Sequence, residues 1–533
     1  MNDRNQSLPH CSTGRGPEVL TVADRGRRWK KIQRVGAICM QGIWLLALAG
    51  CTVGPDYRPP ETHVPAAWSG TGAAAVSAAR ITPSPPVELV EWWGTFKDPI
   101  LSSLVERAIE SNLDLRQAEG RVRQARASRG VVASGLWPEV DASANYARSY
   151  DSKSSSASPS MARPPSGTTV AARDLFQAGL DAAWELDIFG GVRRNIEASN
   201  ADIRASVEDR RDVLVTLAAE VGTNYLNLRG SQQQIAIARK NLKAQRHTAE
   251  ITRKRFEAGF VSALDVASAQ AQVATTESQI PSLESAAQGA IYSLSVLLGR
   301  EPAALLQELA TETPIPPAPP EIPVGLPSDL IRRRPDIRRA EAQLHAATAR
   351  IGVATADLFP KFSLTGSFGF SSTDLSSLAN WSSRSWSFGP SVSWPIFAGG
   401  RIWWNIEVQN ALQEQALIAY EKTVLTALKE VETALVAYAK ELERRKSLTD
   451  AAENNAKAVD LAMKRYIAGR TDFLSVLTFQ GALYQSEDAL VQSTRNSTTN
   501  LIALYKALGG GWEEEPQREK DAPGGKEGEA NRS

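Results

Sequence analysis

The side chain in this 533-residue sequence with the clearest prospect of a defined reaction is Cys51. It closes Leu48-Ala49-Gly50-Cys51, at the end of an apolar run from Val35 to Ala49. The basic residues Arg27, Arg28, Lys30, Lys31 and Arg34 stand just before that run. A basic segment, an apolar run too short to span a bilayer comfortably, and small residues before a cysteine predict a signal peptide over 1–50. The cysteine thiol would take a diacylglyceryl group and become the new N-terminus. A plain signal peptide, or an anchor that happens to contain a cysteine, is the alternative. Thr52 follows, not Asp, which by the usual bacterial sorting rule directs a lipoprotein to the outer membrane. Residues 1–26 are unusual in a signal peptide and suggest a start codon placed too early. Cys11 and Cys39 lie upstream, so the mature chain would contain no disulfide.

No other chemistry is prominent. His10, His63, His247 and His345 are scattered, and the sequence has no HExxH, G-x-S-x-G or P-loop string. Neither an enzyme, a metal site nor a cofactor beyond the covalent lipid is expected. The net charge is +1, but residues 1–50 carry eight Lys/Arg against three Asp/Glu, which leaves the rest at −4. That distribution lacks the basic patch of a nucleic-acid partner.

Two short strings lead to the organisation of the chain. Arg255-Phe256-Glu257-Ala258-Gly259 and Arg465-Tyr466-Ile467-Ala468-Gly469 are related by an offset of 210. The same offset relates Trp184 to Trp394, Asn195-Ile196-Glu197 to Asn405-Ile406-Glu407, and Leu298-Gly299 to Leu508-Gly509. Upstream the offset is 222, relating Arg116, Ala118-Glu119 and Pro138 to Arg338, Ala340-Glu341 and Pro360. The difference falls where the first copy carries the Ser/Pro-rich stretch 151–168, at a hairpin tip where insertion costs least. One unit is written twice.

Each copy reads as a helical stretch (97–135 and 328–358), two strands, a very long helix and a shorter one. The strands are placed at about 137–148, 175–187, 361–370 and 385–396. The helices are placed at about 190–256, 262–299, 400–466 and 472–508. Val140, Ala142, Ala144 and Tyr146 alternate with Asp141, Ser143 and Asn145, and the other three strands alternate likewise. Leu417, Val424, Val431 and Tyr438 recur every seven residues, as do Val207, Leu214, Val221 and Leu228, so the long helices should pack as coiled coil. Gly259 and Gly469 suit left-handed helix ends. Ser262 with Asp265, and Asp472, suit the caps that restart the chain.

The domains follow: a linker over 51–96, a first repeat over 97–300, a Pro-rich link over 301–327, a second repeat over 328–512 and a charged tail over 513–533. Four strands leave two open edges whose backbone groups would each cost several kcal/mol in hydrocarbon. Over about ten residues that exceeds a typical domain stability of roughly 5–15 kcal/mol. The strands must close with other copies or lie away from lipid. Two copies give eight strands and a filled barrel; three give twelve and room for a channel. The serine-rich face favours water inside. Asp141, Asp181 and Glu185 would then line the lumen and favour cations.

Cys51-Thr52-Val53-Gly54-Pro55-Asp56-Tyr57, Trp92-Trp93, Gly325-Leu326-Pro327-Ser328 and Arg333-Arg334-Pro335-Asp336-Ile337-Arg338 resemble the NodT-type outer-membrane factors of tripartite efflux systems, within the OprM/TolC-like outer membrane efflux protein family. So do the two Arg-Phe/Tyr-x-Ala-Gly turns. The resemblance implies a mainly α fold with a membrane β-barrel. It implies a homotrimer of twelve strands and a twelve-helix periplasmic tunnel, embedded in outer-membrane lipid. It also implies a periplasmic adaptor (membrane fusion) protein and an inner-membrane resistance-nodulation-division pump as partners. Its gate falls on Arg465, Tyr466 and Leu474, with Arg255 and Phe256 alongside. Thr478 stands where such chains often carry an aspartate ring. Arg470 and Asp472 are expected to form the polar lock. An exit duct for type I protein secretion and a non-channel structural envelope lipoprotein are the alternatives.

Overall fold

A computed structural model describes residues 52–62, 64–66, 68, 81–82, 89–150, 172–319, 322–323 and 327–512. Cys51, the signal region, His63, most of the 69–88 linker, the stretch 151–168 and the tail 513–533 lie outside the described residues. The chain divides into two compact units, one of strands (mainly 138–193 and 356–396) and one of helices (54–137, 194–355 and 397 onward).

The repeat is metric in the helices. Helices α1 (Pro99–Ser111) and α2 (Leu113–Ser134) open the first copy, which closes with α3 (Gly191–Glu257) and α4 (Ala263–Leu297). Helices α5 (Pro327–Arg333), α6 (Pro335–Ala356), α7 (Arg401–Ile467) and α8 (Phe473–Ala507) form the second. α6 is α2 displaced by 222 residues; α7 and α8 are α3 and α4 displaced by 210. At 67 residues each, α3 and α7 extend about 100 Å.

The helical stretches read as continuous, 97–135 and 328–358, are each broken once, at equivalent positions. Asn112 leaves the helical region and its side chain accepts from Leu115 N, restarting the chain as α2. In the second copy Pro335, which has no N–H to continue a helix, follows Arg334. The residue at each break also closes its own repeat. Asn112 Nδ2 donates to Leu297 O at 2.9 Å, and Arg334 Nη1 donates to Ala507 O at 2.9 Å. These two carbonyls end α4 and α8, where no intrahelical partner exists.

In the strand unit, β1 (Glu139–Ser149), β2 (Arg173–Leu186), β3 (Lys361–Ser372) and β4 (Arg384–Ser393) pair antiparallel in that order. β4 stops short of the expected 396, before Pro395, which cannot donate to the ladder. Among the described residues no helix is long and apolar enough to cross a membrane.

The main helical core includes Trp92, Phe96, Tyr225, Val431 and Tyr505. Trp92 stacks on Tyr505 at 5.5 Å and is closed in by Phe96 edge-on at 6.0 Å. The heptad positions Val424, Val431 and Tyr438 are buried, as are Val221 and Leu228 of the first copy.

Arg334 is the most exacting of these contacts. It is 8% exposed and also pairs with Asp336 at 2.6 Å and Glu430 at 2.8 Å. Removing it leaves the carbonyl at the end of α8 without its donor, while the two carboxylates keep access to water. Arg334→Ala should therefore cost about 1–3 kcal/mol, read as a lowered thermal midpoint by circular dichroism, with Arg334→Lys restoring part.

Candidate functional site

The strand unit is a two-faced wall. Its register aligns Asp141 with Asp181, Ser367 and Ser387 across all four strands. Four residues along the same face, Glu185 aligns with Ser363 and Ser391. Ser143 Oγ donates to Asp181 at 3.3 Å, and Ser363–Ser391 and Ser367–Ser387 join by hydroxyl hydrogen bonds of 2.6 and 2.8 Å. The opposite parity aligns Ala142, Leu180, Phe368 and Trp386, and beside them Val140, Ala182, Gly366 and Phe388. Trp386 and Phe388 are exposed within the chain. Gly179 and Gly369 face each other so closely that a Cβ at Gly369 would meet Ala178 O at 2.7 Å. β1 and β4 each keep one edge unpaired among the described residues.

In the helical unit the two reversal turns share one hydrogen-bond pattern. Gly259 N donates to Phe256 O and Phe260 N to Arg255 O; Gly469 N donates to Tyr466 O and Arg470 N to Arg465 O. This is the Schellman closure, and it requires the positive φ found at Gly259 (78°) and Gly469 (69°). Ser262 and Asp265 then form a reciprocal capping box, and Asp472 accepts from Ser475 N at 3.0 Å. The Ser475 hydroxyl and backbone bonds hold the Asp472 carboxyl below its ordinary range. This cap is therefore in place above that range and is lost as pH falls through the depressed value.

Equivalent residues of the two turns are used differently. Arg255 crosses to the second turn: its Nη1 donates to Tyr466 O and Ile467 O, each at 3.0 Å, and its guanidinium lies 4.8 Å above the Tyr466 ring. A cation there meets the negative end of α7. Tyr466 is buried, bonds to Thr252 Oγ1 at 3.3 Å and packs on Phe473. With Ala269, Ala462 and Val476 it forms a second, smaller core. Arg465, Arg470, Leu474 and Thr478 are exposed, as is Phe256. The expected Arg470–Asp472 lock is not what joins the turns within the chain, because Asp472 is committed to Ser475 and Arg255 makes the crossing.

A third assembly had no signal in the local sequence. The segment after the predicted acylation site lies on α3 and α6. Arg194 donates to Asp56 at 2.7 Å and to Gly54 O at 3.3 Å, and Tyr57 stacks on His345 at 4.2 Å. A Cβ on Gly54 would meet Gly352 Cα at 2.4 Å, so only glycine fits. Arg204 donates to His345 Nδ1 at 3.2 Å, which leaves Nε2–H to donate to Glu197 at 3.0 Å. Burial would raise the Glu197 carboxyl, but bonds from Arg194 and His345 outweigh it and hold it low. Among the described residues no group of three His, Cys, Asp or Glu could hold a metal.

An amphipathic four-stranded sheet and twice-repeated helices of about 100 Å are the elements of an envelope channel protein. The chain belongs to the outer membrane efflux protein family, whose profile matches residues 104–300 and again 326–510. It is 35% identical over 478 residues to the pyoverdine export outer membrane protein OpmQ of Pseudomonas aeruginosa, covering 89% of this chain and 96% of that one. It is 31% identical over 467 residues to nodulation protein T of Rhizobium leguminosarum bv. trifolii, covering 88% and 96%. Among solved structures, the outer-membrane channel OprN superposes with a TM-score of 0.79 at 38% identity, covering 87% of this chain and all of that one.

The crossing by Arg255 can be tested locally. One guanidinium nitrogen carries it while Nε is buried without a partner, so its net value is modest, about 1–2 kcal/mol. Arg255→Ala should raise amide exchange at 466–470 about tenfold, and Arg465→Ala in the isolated chain should leave it unchanged.

Proposed function

We propose that three copies of this chain form the outer-membrane exit duct of a tripartite efflux pump. The observation that carries this reading is the sheet register, which gathers Asp141, Asp181, Glu185 and the strand serines at 363, 367, 387 and 391 on one face and leaves both edges open among the described residues. Closure with two further copies gives twelve strands, satisfies the edges and encloses a polar lumen. The face carrying Asp141, Asp181 and Glu185 turns to water, and the face carrying Trp386 and Phe388 turns to lipid. The long helices of three copies form a twelve-helix periplasmic tunnel.

The turns at 255–266 and 465–478 act as the gate, where Arg255 and Tyr466 hold the helix ends together and Leu474 and Thr478 narrow the opening. A periplasmic adaptor docks there. A resistance-nodulation-division pump supplies energy and small-molecule cargo, and the chain itself catalyses nothing. Relatives named for export of pyoverdine and toluene support cargo of that size. A lipid on Cys51 tethers the segment held by Arg194, Gly352 and His345.

Purified full-length protein in planar bilayers should give stepwise conductance with cation preference. Asp141→Asn, Asp181→Asn and Glu185→Gln together should reduce that preference. Anion selectivity would refute the lumen assignment, and absence of conductance would refute the duct. Arg255→Ala should admit large antibiotics that the parent excludes; unchanged susceptibility would refute the gate. Labelled palmitate should enter the parent and not Cys51→Ser.

A further inference from the structure

The repeat allows contacts made within one chain to be carried to the boundary between two. In the helical unit α3 of the first copy packs against α6 of the second. Displaced by one repeat, the same contact would place α7 against α2 of another copy. This step rests on the assembly proposed above and goes beyond it by naming the surfaces.

Exposure supports the transfer. Residues of α3 that are buried within the chain have exposed equivalents on α7. Val215 is 4% exposed and its equivalent Leu425 67%; Leu226 is 0% and Val436 47%; Arg194 is 4% and Trp404 71%. Ala198 and Glu208 are buried, while Val408 and Ile418 are exposed. The partner helix behaves the same way. Thr348 and Gly352 of α6 are buried, and their equivalents Arg126 and Gly130 of α2 are exposed. One face of each helix is therefore finished inside the chain in one repeat and left open in the other.

Charge then sets the register. Within the chain His345 of α6 sits between Glu197 and Arg204 of α3, which are seven residues apart. The equivalents are Arg123 on α2, and Glu407 and Glu414 on α7, all exposed. The seven-residue step continues in both directions of charge: Glu421 follows Glu414 on α7, and Arg116 precedes Arg123 on α2. The helices run antiparallel, since Asp202 meets Arg350 whereas Asp212 meets Arg339. The acidic stripe on α7 and the basic one on α2 therefore have matching spacing. The contact Arg338–Glu208 becomes Arg116 beside Ile418, whose side chain can cover the arginine stem.

We infer that α2 of a neighbouring copy docks along the acidic stripe of α7, with the neighbour's Arg123 seated between Glu407 and Glu414 and its Arg116 between Glu414 and Glu421. The pairs are rim charges on an apolar seam, so they fix the register and weaken with salt.

The test uses full-length protein extracted from outer membranes. Arg123→Cys with Glu414→Cys, oxidised with copper–phenanthroline, should give cross-linked dimers and trimers at least about tenfold above either single variant. R116E/R123E should lower the oligomer fraction about tenfold at low salt, and E407K/E414K/E421K added to it should restore assembly. A native mass of three chains with no cross-link and no charge rescue would overturn this interface while leaving the trimeric duct standing. A native mass of one chain would overturn both.

Discussion

The constraint on which the rest of this molecule depends is the backbone hydrogen bonding of a sheet too small to close. Among the described residues four strands of 10 to 14 residues pair in sequence, and β1 and β4 are left with one free edge each. In water such edges are merely adhesive. In hydrocarbon each unpaired N–H or C=O costs several kcal/mol, so the sheet is stable there only as part of a closed ring. The same incompleteness recurs in the helical unit, where α7 shows Trp404, Leu425 and Val436 to solvent. Among the described residues, open sheet edges and open helix faces therefore occur together in a chain whose unit is present twice.

The two copies have diverged where their surroundings differ. At the helix break, Asn112 suffices in the first copy, whereas Arg334 in the second also gathers Asp336 and Glu430. At the turns, Arg255 reaches a carbonyl pair in its own chain, while Arg465 is exposed. Tyr466 bonds to Thr252; the equivalent positions hold Phe256 and Ala462, so donor and acceptor are absent together. Paired loss of this kind is expected when two positions share a contact, since a buried donor without an acceptor costs about 1–3 kcal/mol.

Much of this was legible because the signals are periodic. Alternation gave each strand and its polar face, and heptads without proline gave the long helices. Gly259, Gly469, Ser262 and Asp472 gave the turns, since positive φ and capping depend on local residue type. What escaped was non-local. Tyr57 and Glu341, which bond at 3.3 Å, are 284 residues apart, and His345 and Glu197 are 148 apart. No window of sequence contains either pair. At the second turn the start of α8 claims the Asp472 carboxylate, as its cap position after Gly469 suggests. The break at Asn112 was missed because hydrophobic periodicity passes through it, and only the side-chain cap marks the interruption.

The central claim is that closure of the sheet edges between copies makes the duct. The most direct measurement is the native mass of the conducting species, taken from the detergent preparation that forms channels in bilayers. A mass of three chains, lost together with conductance when prolines are placed at successive outward-facing N–H positions of β1, is the predicted result. Full conductance from a species of one chain, or from three chains with those N–H groups removed, would contradict it.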